Sequence, residues 1–205
     1  MNFSSKLIDE AVEQMSSLPG VGKKTALRLV LNLLNRDLAE VERFSNSFTK
    51  MRNNIRFCVK CHNISEEELC GICSNKNRDQ SLICVVEDIR DVISIEKTNQ
   101  FSGYYHVLGG IISPMDGIGP NDLNIDTLLT RVQTENISEV IFALSTTMEG
   151  DTTNFYLHRK LAPLNIKTSV LSRGVSVGDE LHYADEITLG RSIVNRTPFD
   201  FNLSK

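Results

Sequence analysis

Ser81-Leu82-Ile83-Cys84-Val85-Val86-Glu87-Asp88 is a short, unbroken apolar run that ends on two acids. An apolar run of this length without period-two alternation fits a strand buried on both faces, as in a parallel sheet. The residues downstream agree with that reading. Ile89 to Glu96 has helical periodicity, YYHVLGG (104–110) is strand-like, and LLTRV (128–132) is helix-like. VIFALS (140–145) and KTSVLS (167–172) read as further strands, with NFYLHRKLAPL (154–164) a helix between them. Strands alternating with helices predict a mainly parallel α/β sheet. Within it, Cys84 reads as a buried core residue. The turn-rich SPMDGIGP (113–120) reads as a long loop, and Tyr183-Ala184-Asp185-Glu186 can start a final helix.

Upstream of Ser81 the pattern is different. Ser4 or Ser5 can cap a helix carrying Leu7, Ile8, Ala11, Val12 and Met15, which Leu18-Pro19-Gly20 breaks. Ala26, Val30, Leu33 and Leu34 continue the periodicity, and Val41, Phe44, Phe48, Met51 and Ile55 repeat it after Asp37. Three helices are expected, giving an α+β chain. Charge divides along the same line: residues 1–78 hold 12 Lys and Arg against 9 acids, and residues 79–205 hold 10 against 17. A basic half beside an acidic one suits a polyanion-facing end and a protein-facing end, although two ordinarily solvated surfaces would look the same. No stretch is long and apolar enough for a membrane span, and MNFSSKLIDE lacks the pattern of a signal peptide, so a soluble cytoplasmic protein is expected.

Between the halves, Cys58, Cys61, Cys70 and Cys73 form two C-x-x-C pairs separated by eight residues. Each pair can direct two thiolates at one ion, and two pairs complete the closed tetrahedral all-thiolate site that Zn2+ accepts, with no position left for water. One structural Zn2+ per chain is therefore expected. Its binding would contribute directly to local folding, since residues 58–78 carry few large apolar side chains. Two disulfides or an iron–sulfur cluster are the alternatives; a reducing cytosol disfavours the first, and nothing in the sequence suggests electron transfer. His62 reads as a neighbour of the site, because four thiolates suffice.

Leu18-Pro19-Gly20-Val21-Gly22-Lys23-Lys24-Thr25-Ala26 joins the first two helices and resembles the helix-hairpin-helix motif of DNA-binding proteins. Gly20 and Gly22 permit backbone geometries and close approach that a Cβ would obstruct, leaving helix N-terminal amides open to phosphate. Lys23, Lys24 and Arg28 add positive charge. Contacts of this kind grip the backbone without reading bases. A hairpin that merely packs is the plain alternative. The glycines are not a dinucleotide-binding fingerprint, since no strand precedes them.

A helix-hairpin-helix, a four-cysteine module and then VVED opening an α/β domain resemble the RecR family along essentially the whole chain. The strings that carry the resemblance are CVVEDIRDVISIE (84–96), YYHVLGGIISPMDGIGP (104–120), TTMEGDTT (146–153) and SRGVSVGDELHYADEITLGR (172–191). It implies a helical DNA-binding module over 1–56, a zinc module over 57–78, a Toprim domain over 79–172 and a C-terminal segment for assembly over 173–205. It also implies a nucleoid-associated homotetramer or dimer, with a ring-like clamp as its working form. Such a protein would act with RecO, and RecF where present, to load RecA onto gapped DNA coated by single-strand-binding protein.

Catalytic Toprim folds hold Mg2+ with a glutamate after the first strand and an acidic pair after a later one. Glu87 stands at the first position, but Ser145-Thr146-Thr147 follows VIFAL where the acids would be. Hard Mg2+ needs carboxylate oxygens, so a non-catalytic role is expected. Glu87, Asp88, Glu149 and Asp151 are then candidates for partner docking, and a metal-dependent phosphotransfer enzyme using Glu87, Glu149 and Asp151 is the alternative. His106 and His158 have no visible catalytic partner and read as structural or exposed.

Overall fold

The computed structural model describes residues 5–178 and 180–198. The chain divides between Ile55 and Arg56 into two compact units. In the first, α1 (Lys6–Ser16) and α2 (Lys23–Leu34) form an antiparallel hairpin, and α3 (Leu38–Asn54) follows. Val12 of α1 and Ala26 and Val30 of α2 are the buried centre, with Ile8, Ala11, Met15 and Leu27 packed around them. Ser5 is the residue before α1, but its side chain makes no capping bond; Ser4 lies outside the described residues. The helix expected after Asp37 forms, yet none of its residues is buried. Phe44 and Phe48 meet edge to face at 5.0 Å on an exposed surface.

The second unit begins with a two-residue antiparallel pair, β1 (Arg56–Phe57) and β2 (Ile64–Ser65), and the short helix α4 (Gly71–Ser74). Then come β3 (Asp79–Val86), α5 (Ile89–Lys97), β4 (Gly103–Val107), α6 (Ile125–Thr134), β5 (Glu139–Ala143), α7 (Met148–Leu161) and β6 (Lys167–Val170). The four long strands lie in the order β4-β3-β5-β6, every neighbouring pair parallel. β3 is central, which explains its unbroken apolar run. Ile83 and Val85 point into a core with Leu128, Val140, Phe142, Leu157 and Leu161. Cys84 and Val86 point into a second core with Val92, Tyr105 and Val107 on the opposite face. Burying each such aliphatic side chain contributes about 1.5–3 kcal/mol before conformational entropy is counted.

The 113–120 segment is a loop pinned by a Ser113–Ile118 bridge and by short helical turns at Pro114–Asp116 and Pro120–Asp122. Beyond β6, α8 (Glu186–Val194) starts where the sequence signals it, with the Asp185 carboxylate accepting the Thr188 amide at 2.9 Å. Among the described residues no helix is long and apolar enough to cross a membrane.

Candidate metal centre and nucleic-acid interface

The cysteines converge by two turns. Cys58 follows β1, its amide donates to the Asn63 carbonyl, and its carbonyl accepts from the His62 amide. That loop closes because His62 adopts a left-handed backbone, φ 61°. Cys70 caps α4, and its sulfur accepts the Cys73 amide at 3.4 Å. All four sulfurs lie within 4.8 Å of one another and are buried, with Cys61 and Cys70 Sγ 3.5 Å apart. Tetrahedral coordination at Zn–S distances of about 2.3 Å requires sulfurs about 3.8 Å apart, so the set fits one such ion. Its electrostatics ask for a cation as well. The Cys70 thiol is held down by hydrogen bonds from Cys61 and Cys73, whereas the Cys61 thiol is pushed far above its ordinary value by Cys70, Cys73 and burial. Four thiolates at this spacing need a central charge to coexist. Among the described residues this is the only group of three or more His, Cys, Asp or Glu donors placed to hold an ion.

His62 stands outside the cluster. Its Nε2–H donates to the Thr127 hydroxyl on α6 at 2.8 Å, and its ring meets His106 edge to face. His106 is fully buried, donates Nε2–H to the Asn124 carbonyl, and is pushed down to about 3 chiefly by burial, so it stays neutral. Two further contacts dock the cysteine module, one on the sheet and one on the end of α6. The Cys61 carbonyl accepts from the Val107 amide of β4 at 2.9 Å, and Lys60 pairs with Glu135 at 3.0 Å. Arg78 closes the module with a bidentate pair to Glu96 and a bond to the Gly103 carbonyl at 2.8 Å.

In the hairpin, the Val21 amide closes a turn on the Leu18 carbonyl at 3.0 Å, and Gly20 sits at φ +80°, where side chains are strained. Gly22 corrects the expectation from sequence: its φ is −76°, ordinary for any residue, and a Cβ built there meets nothing within 4 Å. Gly22 has no side chain with which to cap α2, and no acid lies in its first turn. Lys23, Lys24 and Arg28 are all exposed. The start of α2 therefore combines uncapped amides with three cations, as an anion-accepting surface would.

The four candidate acids are not equivalent. Glu87 follows β3, part-buried, with its carboxyl raised by burial and then by Asp91 and Asp88. Asp88 caps α5, its side chain accepting the Arg90 amide at 2.6 Å and pairing with the Arg90 guanidinium. Asp151 is gripped by both Nη atoms of Arg173, which holds its carboxyl below the usual range. Glu149 is half-buried in the first turn of α7. Ser145-Thr146-Thr147 serves the helix that follows it. Thr147 Oγ1 accepts the Gly150 amide at 3.1 Å and so caps α7. A Cβ on Gly150 would stand 1.9 Å from the Ser145 carbonyl oxygen, so only glycine fits. His158 is exposed and hydrogen-bonded to Thr168.

Sequence reasoning missed Gly150, Arg78 and the Asp151–Arg173 pair. The Thr-x-x-Gly spacing before a helical pattern could have signalled the first. The other two join residues 18 and 22 positions apart and have no local signature.

Comparison with known proteins covers each part of the chain. Family models match for the RecR helix-hairpin-helix (residues 8–52), the RecR four-cysteine zinc finger domain (55–75), the Toprim domain (81–172) and the RecR C-terminal region (174–197). Recombination protein RecR of Bacteroides thetaiotaomicron is 60% identical over 197 residues, 96% of each chain. Its namesake from Parabacteroides distasonis is 57% identical over 202 residues, 98% of this chain and 97% of the other. That of Flavobacterium psychrophilum is 58% identical over 200 residues, again 98% and 97%. With the hairpin, the four-cysteine cluster and the parallel sheet in the matching order, the chain belongs to the RecR family of recombination proteins.

Proposed function

We propose that this protein binds DNA without sequence specificity as a ring-like clamp, a homotetramer or dimer, and promotes RecA loading on gapped DNA together with RecO and, where present, RecF. The observation that carries the DNA part is the uncapped start of α2, with Lys23, Lys24 and Arg28 exposed beside it. In this reading residues 1–56 grip DNA, 57–78 hold one structural Zn2+, 79–172 dock partners and 173–205 take part in assembly. Self-association is supported by the apolar groove of the helical unit, where Leu7, Leu34 and Leu38 stand exposed.

The role is mediation, with no chemical step. Of the four candidate docking acids, Asp88 and Asp151 are engaged by Arg90 and Arg173, which leaves Glu87 and Glu149 the freer to meet a partner. The protein works in the cytoplasm, at the nucleoid. The test of the DNA site is Lys24→Glu with Arg28→Glu, measured on unrelated duplexes over a range of salt. Binding should be lost on every sequence, while zinc content, oligomer size and melting temperature hold. Lys24→Ala alone should lower the salt slope by about one unit for each phosphate it no longer neutralises. Unchanged affinity and slope in the double variant would show that the hairpin merely packs.

A further inference from the structure

The four-stranded sheet treats its two edges differently. At β4 the Val107 amide donates to the Cys61 carbonyl, and the Tyr105 and Gly103 carbonyls accept from Arg131 and Arg78. At β6 the Leu171 amide donates to the Phe142 carbonyl at 3.3 Å, and parallel pairing alternates. Lys167 and Ser169 therefore turn their backbone groups toward β5, while Thr168 and Val170 turn theirs outward. Among the described residues no hydrogen bond reaches the backbone of Thr168 or Val170 from that outer side. An edge left in this state is a template for another strand.

Two features beside this edge restrict what fits it. Thr168 and Val170 put their side chains on the α7 side of the sheet, where with Phe142, Phe155 and His158 they line a cavity of about 310 Å³. Phe155 is 63% and Val170 54% exposed, so apolar side chains arriving beside β6 would cover both. The second feature is charge. Residues 158–167 contain His158, Arg159, Lys160 and Lys167 and no acid, in a half of the chain where acids outnumber Lys and Arg by 17 to 10. Arg159 stands over the Phe155 ring and Lys160 over that of Tyr156, and among the described residues neither meets a carboxylate. Lys167 meets Glu139 at 2.8 Å and keeps 70% of its side chain exposed. A second copy of β6 laid against the first would bring the same cations together, whereas a strand bearing carboxylates would be drawn to them.

We propose that the open edge of β6 takes an extended acidic peptide of another protein as a further strand. The main chain of that peptide pairs with the outward groups of Thr168 and Val170, its alternate apolar residues lie over Phe155 and Val170, and its carboxylates meet Arg159, Lys160 and Lys167. This deepens the reading of residues 79–172 as the part that docks partners, and it adds a site separate from Glu87 and Glu149.

The probe is an end-blocked, fluorescein-labelled peptide, Asp-Val-Asp-Phe-Asp-Val-Asp, titrated into the zinc-loaded, full-length protein. Anisotropy should rise saturably, and amide exchange should slow at Thr168 and Val170. The same peptide N-methylated throughout keeps its charge and apolar groups but cannot donate from its main chain, and it should bind roughly tenfold more weakly or worse. Arg159→Gln with Lys160→Gln should weaken the parent peptide by a similar factor while the melting temperature holds. Absence of saturable binding at millimolar peptide overturns the proposal without any variant. It strikes this edge alone, because DNA binding at the hairpin and docking at Glu87 and Glu149 are read separately. Equal binding of the N-methylated form, or of the parent peptide to the Gln variant, overturns it too. Other occupants would also overturn it: a peptide that splits the assembly gives the edge to a second copy, binding seen only after removal of residues 199–205 gives it to the chain's own tail, and protection of the same amides by a DNA duplex gives it to DNA.

Discussion

The two units of the chain handle their apolar residues in opposite ways. The α/β unit sandwiches its sheet, so that β3 hides Ile83 and Val85 on one face and Cys84 and Val86 on the other. The helical unit buries little beyond Val12, Ala26 and Val30, and leaves Leu7 78%, Leu34 67% and Leu38 74% exposed. Both units are patterned for burial, but only the sheet of the second covers both its faces within one chain. The difference teaches that amphipathic periodicity predicts a face that must be covered and is silent about what covers it. Four perturbations separate the units further.

The largest effect is expected from the metal. Zinc binding at such sites is worth on the order of 10 kcal/mol at neutral pH. Stripping it with a chelator should therefore unfold residues 58–78 while the α1–α2 hairpin keeps its helicity. Hydrogen exchange would show this directly, and a chelated protein with the amides of residues 58–73 still protected would mean that packing alone holds the module.

Next comes Gly150→Ala, whose new methyl would collide with the Ser145 carbonyl. Thermal unfolding should show a loss of about 3–5 kcal/mol in the α/β unit, because α7 can no longer begin at Thr147. A melting temperature near that of the wild type would show that the turn relaxes. The same kind of measurement sharpens the comparison through two leucines. Leu157→Ala, fully buried, should cost about 2–5 kcal/mol, and Leu34→Ala about 0.5 kcal/mol or less in a dissociated chain. Sedimentation should reverse the ranking, with Leu34→Asp shifting the assembly to smaller species and Leu157→Ala leaving its size unchanged. Equal costs for the two alanine variants would abolish the distinction between the units.

The smallest effect is electrostatic. Arg173 depresses the Asp151 carboxyl in the folded state, so the pair contributes above the unfolded value near 3.8, and the contribution is lost as pH falls through the folded value. Both side chains are partly exposed, and about 1 kcal/mol or less is expected. Urea unfolding of wild type and Arg173→Leu should differ at pH 7 and converge in acid, once pH has fallen through the folded value of the Asp151 carboxyl; a gap that persists there would assign the arginine's contribution to packing.

Much of this was legible in the sequence, for physical reasons that can be named. The 81–88 run is readable because a central parallel strand is wet on neither face, so its chemistry is uniform. The cysteine pairs are readable because chelation needs a fixed short spacing. Ser145 and Thr147 reveal a missing acidic pair, yet the way this turn starts α7 stays hidden because the close approach to Gly150 is made by a backbone oxygen. The reach of Arg173 back to Asp151 stays hidden because it depends on how a loop leaves β6. Gly22 shows the opposite failure: a glycine that looks conformational turns out to be sterically open.

The docking of the cysteine loop on β4 reaches beyond local folding. β4 is an edge strand, and four of its outward groups are taken: the Val107 amide by the Cys61 carbonyl, the Val107 carbonyl by the Asn124 amide, the Tyr105 carbonyl by Arg131 and the Gly103 carbonyl by Arg78. Unpaired edges recruit strands from other molecules. A knuckle without a bound ion would withdraw one of these four plugs and loosen the lead into Arg78, baring part of a sticky border on a sheet that remains folded. Loss of a bound ion would then favour clumping of an intact core.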